Sequence, residues 1–145
     1  MKTLAALFSL LGVLALMTPQ MLLHPRSDEA VARAVALNFC LYRNAVNHYV
    51  IKHPTTANGI LVPKSLLDLP SGWKSLRAWT NRPDGGTLYI WGPVNENEAG
   101  KIMDMFNDSY AVGIKRNGSL VTDHGIGIAL PDYIPSGSIV SVITP

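Results

Sequence analysis

Residues 28–52 read DEAVARAVALNFCLYRNAVNHYVIK. Along this stretch Val31, Val35, Phe39, Tyr42, Val46 and Tyr49 recur at three- and four-residue steps, the spacing of one face of an α-helix. Ala30, Ala34, Leu37, Leu41 and Ala45 form a second apolar row beside the first, so the predicted buried face is broad. Ser27 offers a side-chain oxygen to the first-turn amides, and Asp28 and Glu29 stand where the helix dipole favours negative charge. His53-Pro54 closes the other end, because the residue before a proline is pushed out of helical dihedrals. A helix from about Asp28 to Lys52 is therefore predicted, with the six-residue stripe as the surface that docks on the rest of the domain.

Downstream the punctuation changes. Pro63 to Leu69 predicts a short helix stopped by Pro70-Ser71-Gly72. Leu76 to Trp79 and Thr87 to Trp91 flank NRPDGG, whose Asp84-Gly85-Gly86 supplies the positive φ angles of a hairpin turn. Asn95 caps a second helix running to about Asp108, with Glu96 and Glu98 in its first turn. Tyr110 to Lys115 and Ser119 to Thr122 flank Asn117-Gly118 as another hairpin, and Ser138 to Thr144 is a final alternating strand. The class expected is α+β, an N-terminal hydrophobic helix followed by a long amphipathic helix packed on a small, mostly antiparallel sheet.

Upstream, Met1 and Lys2 precede an apolar run in which Leu4, Leu7, Phe8, Leu11, Val13 and Leu16 stand out. The run has the length of a signal-peptide core, yet no small-x-small triplet follows it at the distance a signal peptidase needs. Ala30-Val31-Ala32 comes only after Arg26, Asp28 and Glu29. The uncharged span from Thr3 to Leu23 is 21 residues, about 31 Å as a helix and enough for a hydrocarbon core of about 30 Å. Pro19 can kink it. Residues 1–25 are expected to be a retained membrane anchor, with a cleaved signal as the alternative, and residues 26–145 a single domain. Positive charge at the amino terminus, against Arg26 offset by Asp28 and Glu29, orients the amino terminus inward.

Twelve basic and ten acidic residues give a net charge of +2. The basic residues are spread along the chain, which argues against a nucleic-acid face. The single cysteine, Cys40, cannot form an intramolecular disulfide and is expected as a small buried hydrophobe. Asp123 and His124 in TDHGIGIALP resemble a protease triad segment, but no serine lies in a G-x-S-x-G turn, and the stretch is expected to be a tight connection between strands. The four histidines are scattered and no second cysteine completes a thiolate site. Gly85-Gly86 and Gly125-x-Gly127 lack the context of a phosphate loop. No catalytic, cofactor-binding or metal-ligating residue is predicted. Trp73, Trp79 and Trp91 are expected in the core.

The apolar start, NFCLYRNAVNHYVIKHP (38–54), SLLDLPSGW (65–73) and SYAVGIKRNGSLVTDHGIGIALPDYIPSGSIVSVI (109–143) together resemble the PilM family of type IVB and conjugative thin-pilus systems. The resemblance spans nearly the whole chain. It implies a non-enzymatic inner-membrane component of type IV pilus biogenesis, serving the basal body or pilin transport and assembly, with its C-terminal domain in the periplasm. It implies partners among other pilus-assembly proteins, with pilin a candidate, and neither a small-molecule substrate nor a cofactor. The alternatives are a minor pilin-like subunit, which lacks the expected prepilin glycine and glutamate here, and a periplasmic hydrolase using His124 with Asp123.

Overall fold

The computed structural model describes residues 2–55, 58–107 and 109–144, with side chains from residue 27 onward. The chain divides into two compact units, Met1–Val31 and Ala32–Pro145. The first is the N-terminal part of α1 (Lys2–Lys52). The membrane-anchor residues Leu4, Leu7, Phe8, Leu11, Val13 and Leu16 lie outside the residues whose side chains are described. Among the described residues no helix is long and apolar enough to cross a membrane.

Helix α1 does not start at Ser27, as its capping chemistry predicts, but runs through it. A good cap residue does not stop a helix whose backbone continues, since serine inside a helix costs only a few tenths of a kcal/mol. The C-terminal end falls at Lys52, before His53-Pro54.

The second unit holds the rest of α1, the helix α2 (Glu96–Met105) and six strands: β1 (Thr80–Asp84), β2 (Thr87–Gly92), β3 (Val112–Arg116), β4 (Ser119–Thr122), β5 (Gly125–Ala129) and β6 (Ile139–Ile143). They form one sheet in the order β1-β2-β6-β3-β4-β5, and every pairing is antiparallel. The sheet has two apolar faces. Leu88, Ile90, Val112 and Ile139 pack with α1 and with Ile102 of α2. Trp91, Leu120, Val140 and Val142 pack on the other side under Leu130 and Ile134 of the β5–β6 connection.

Of the stripe on α1, Val35, Phe39, Tyr42 and Val46 are fully buried, and Tyr49 is half-buried against the same core. Val31, at the end of the first unit, is 52 % exposed and stands outside this buried set. The second row is narrower than expected: Ala30 and Ala34 are exposed and Leu37 is 53 % exposed, whereas Ala45 is buried and Leu41 half-buried. Its place is taken by Ala32, Ala36 and Asn38. Each residue turns a helix by about 100°, so two apolar rows cannot both face one flat sheet over five turns.

Asn38 is the polar member of that face. Its Oδ1 accepts from the Leu76 amide at 2.9 Å and the Trp79 indole Nε1 at 2.7 Å, and its Nδ2 donates to the Lys74 carbonyl at 2.9 Å. These bonds help explain why Leu76–Trp79 is not the strand its hydrophobicity predicts: the Leu76 amide is partnered by a helix side chain and the Trp79 amide by the Arg77 carbonyl, not by a neighbouring strand. The hairpin strand begins at Thr80 instead. Asp84 pairs with Thr87 directly across Gly85-Gly86, whose φ of 58° and 81° suit a two-residue turn that adds no loop. Pro83 is tolerated because β1 lies at the sheet edge.

The expected helix at Pro63–Leu69 reduces to a single 3-10 turn, Lys64–Leu66. Helix α2 is capped by Asn95 as predicted, and Glu98 completes a capping box, with the Glu98 amide donating to Asn95 Oδ1 and the Asn95 amide donating to Glu98 Oε2. It ends at Met105, followed by Asn107 at a φ of 50°, a left-handed residue of the kind that terminates helices. Glu98, buried, also pairs with Arg77. The predicted tight connection at TDHGIGIALP is a turn only at Asp123-His124, and Gly125–Ala129 is a strand. The Gly-Ile alternation that makes it one was masked by its glycines.

Strands β3 and β4 approach so closely at Gly113 that a Cβ there would run into the Val121 carbonyl. Gly113→Ala will cost about 1 to 3 kcal/mol, the usual effect of overpacking against atoms that cannot move alone. Urea unfolding measures this, and a variant as stable as the parent would show that the two strands separate freely at that point.

Candidate functional site

The last turns of α1 approach the tip of the β1–β2 hairpin and the end of β6, and an open groove of about 690 Å3 lies between them. Val50 and Ile51 form its helix wall, Pro83, Gly85, Gly86 and Leu88 its hairpin wall, and Ile143 its floor. Asn47, Asn58, Thr87 and Thr144 supply its polar atoms. The turn after α1 is fastened to the hairpin: the Gly59 amide donates to the Pro83 carbonyl at 2.6 Å and the Gly85 amide to Asn58 Oδ1 at 2.6 Å. The shape thus depends on the two-glycine turn and on where His53-Pro54 ends the helix.

Among the described residues the lining carries amides, hydroxyls and apolar groups and no ionisable side chain. Such a wall can pack an apolar group and bond a backbone.

The chemistry-bearing residues of the sequence lie elsewhere. Asp123 and His124 occupy the exposed β4–β5 turn, where the His124 amide donates to Thr122 Oγ1 at 3.2 Å and the imidazole stacks on Tyr110 at 4.3 Å. Cys40 is half-buried, not enclosed as its apolar surroundings predict, and its Sγ lies 3.7 Å from Asn44 Nδ2. Among the described residues no group of three or more His, Cys, Asp or Glu could hold a metal ion. Trp79 and Trp91 are buried, and Trp73 is half-buried, stacked on Tyr42 at 6.1 Å.

Two polar clusters that periodicity does not reveal tie α1 to the sheet and to the segments beside it. Asn81 Nδ2 donates to Tyr42 Oη at 2.7 Å and to the Val62 carbonyl at 3.0 Å, while its Oδ1 accepts from the Val62 amide at 3.0 Å. Burial pushes the Tyr42 phenol above its ordinary pKa, against the smaller opposite effect of Asn81. Arg43 donates from Nε to Ser141 Oγ at 2.8 Å and lies over the Phe106 ring at 4.8 Å, joining α1 to β6 and α2. Burial lowers the guanidinium's pKa, yet an arginine starting so high stays charged. The only available sequence signal for these residues is a polar letter inside an apolar helix or strand.

The PilM family model matches residues 6–142. This chain belongs to the PilM family. Its fold is similar to that of the crystal structure of PilM from Escherichia coli B7A, with a TM-score of 0.61 and 26% sequence identity over 79% of this chain and 92% of that one. No curated protein matches the chain.

Proposed function

We propose that the protein is a non-enzymatic inner-membrane component of type IV pilus biogenesis, serving the basal body or pilin transport and assembly through contacts with other pilus-assembly proteins. The observation that carries this reading is the PilM family match over residues 6–142, which supports a role in pilus biogenesis at the level of the family. The groove at the end of α1 adds to it, since its described lining offers packing and hydrogen bonds to a partner segment. The 21-residue uncharged span from Thr3 to Leu23 has the length of a membrane crossing. Lys2 then stays in the cytoplasm and the domain from about Arg26 onward lies in the periplasm.

Two measurements test this. Intact mass spectrometry of protein extracted from membranes should find Leu4 to Leu23 still attached, and a periplasm-active reporter fused after Pro145 should be active. A mature chain starting between Thr18 and Ala36 and recovered without detergent would overturn the anchor. For the chemistry, Asp123→Asn combined with His124→Gln should leave piliation near the parental level, because both changes keep polarity and size while removing acid–base function. Loss of pili from a folded, membrane-inserted double variant would restore the hydrolase reading.

A further inference from the structure

Helix α1 carries three asparagines, and they are not used alike. Asn38 bonds across the core to Lys74, Leu76 and Trp79, and Asn44 accepts from Arg43 Nη1 and donates to Cys40 Sγ. Asn47 is half-buried in the wall of the groove, and neither its Oδ1 nor its Nδ2 has a hydrogen-bond partner among the described residues. Across the groove, Asn58 spends its Oδ1 on the Gly85 amide, which leaves its Nδ2 to donate. Carboxamides thus stand on both sides of an apolar floor of Leu88 and Ile143. A carboxamide offers both donors and acceptors, the complement of a peptide group. A hydrocarbon ligand would take water from these groups and return nothing, which costs free energy. A helical ligand has its own backbone groups already paired, so the lining matches an extended chain.

Charge narrows the ligand further. A shallower depression of about 420 Å3, lined by Asn44, Asn47, His48, Ile51 and Lys52, shares Asn47 and Ile51 with the groove. Among the described residues no carboxylate lines either depression, and Lys52 is exposed without an ion pair. The groove is therefore uncharged inside and cationic at this rim. Complementarity of potential decides which partner such a surface accepts, and a lone rim cation favours an anionic group.

We propose that the groove takes an extended segment of a partner protein, with a large apolar side chain seated between Ile51 and Leu88, its backbone held by Asn47 and Asn58, and an acidic residue beside it that meets Lys52. This deepens the reading of the protein as an assembly part and rests on it. The volume of about 690 Å3 lies within the range of about 300 to 1,000 Å3 for clefts that enclose a compact ligand, so the segment is short. Main-chain hydrogen bonds supply affinity, and the apolar seat and the rim cation supply specificity.

The probe is a random peptide library displayed on phage, panned against the full chain in lipid nanodiscs after depletion on the Ile51→Arg chain, so that only peptides that need the groove are kept. Ile51 is 67 % exposed and Asn47 bonds no described residue, so Ile51→Arg and Asn47→Ala leave the core intact, and an unchanged urea midpoint checks this. Recovered peptides should carry Asp or Glu beside a large apolar residue. Their synthetic copies should bind about tenfold more tightly than versions with the acid changed to lysine, an exposed ion pair being lost and a repulsion gained. Lys52→Glu should reverse that order, and Asn47→Ala should weaken binding about fivefold, the worth of a hydrogen bond. No peptide surviving the depletion, no acidic preference, or the same preference on the Lys52→Glu chain overturns the proposal. So does a dimer of the full chain that Ile51→Arg abolishes, which would give the groove to a second copy. Deleting the whole chain tests the assembly reading separately: unaltered piliation overturns that reading while the peptide preference stands, and a failed selection overturns the preference while that reading stands.

Discussion

Replacing Phe39 with alanine will cost the domain about 3 to 5 kcal/mol, the range for deleting a buried aromatic side chain. The ring is fully buried on α1, meets the Trp79 ring edge-on at 5.0 Å and the Phe106 ring at 6.3 Å, and so joins the long helix to the segment before β1 and to the end of α2. Three elements lose a shared contact at once. Because a domain of this size is stable by only about 5 to 15 kcal/mol, the variant loses a large share of its margin. Urea unfolding of the detergent-solubilised chain, followed by tryptophan fluorescence, measures the loss. A value under about 1 kcal/mol would show that the helix face does not depend on this ring and that α1 is held by its polar contacts.

Asn81→Ala will be comparably severe for a different reason. It removes no large apolar surface, but it strips the Val62 amide, the Val62 carbonyl and the Tyr42 hydroxyl of the partner they share in a buried site. Each buried polar group left unsatisfied costs about 1 to 3 kcal/mol, so a total of about 3 kcal/mol or more is expected. Tyr42→Phe removes a single hydroxyl from the same cluster and should cost only about 1 kcal/mol. The comparison is therefore internal. If Asn81→Ala costs no more than Tyr42→Phe in the same unfolding assay, water has replaced the amide at Val62 and the outer edge of β1 is not held by it.

The legible parts of this fold are those whose cause lies within a few residues. The spacing of Val35, Phe39, Tyr42 and Val46 is the helix period itself. Asn95 followed by Glu96 and Glu98 marks a helix start in letters, through its cap and its first-turn acids. Gly85-Gly86 and Asn117-Gly118 adopt positive φ because a two-residue turn demands it. From these alone follow a long helix, a capped second helix and two hairpins, hence the α+β class; the PilM resemblance draws on the same order of segments.

What tertiary structure decided are the partners of groups far apart in sequence. Leu76–Trp79 reads as a strand, yet its Leu76 amide and Trp79 indole both donate to Asn38 across the core. Gly125–Ala129 reads as a turn, yet β4 is there to pair with it. Ala34 and Leu37 look as apolar as their neighbours but face outward, because one flat sheet can cover only part of the circumference of a helix. The groove unites Asn47, Gly85 and Ile143, three residues that share no motif. Local chemistry sets which dihedrals a residue prefers, and so the sequence alone determined the body and C-terminal end of the long helix, the capped second helix and the two hairpin turns. Only the packed chain determines where each remaining donor, acceptor and apolar face is satisfied, and that placed β1, β5, the sheet order and the groove.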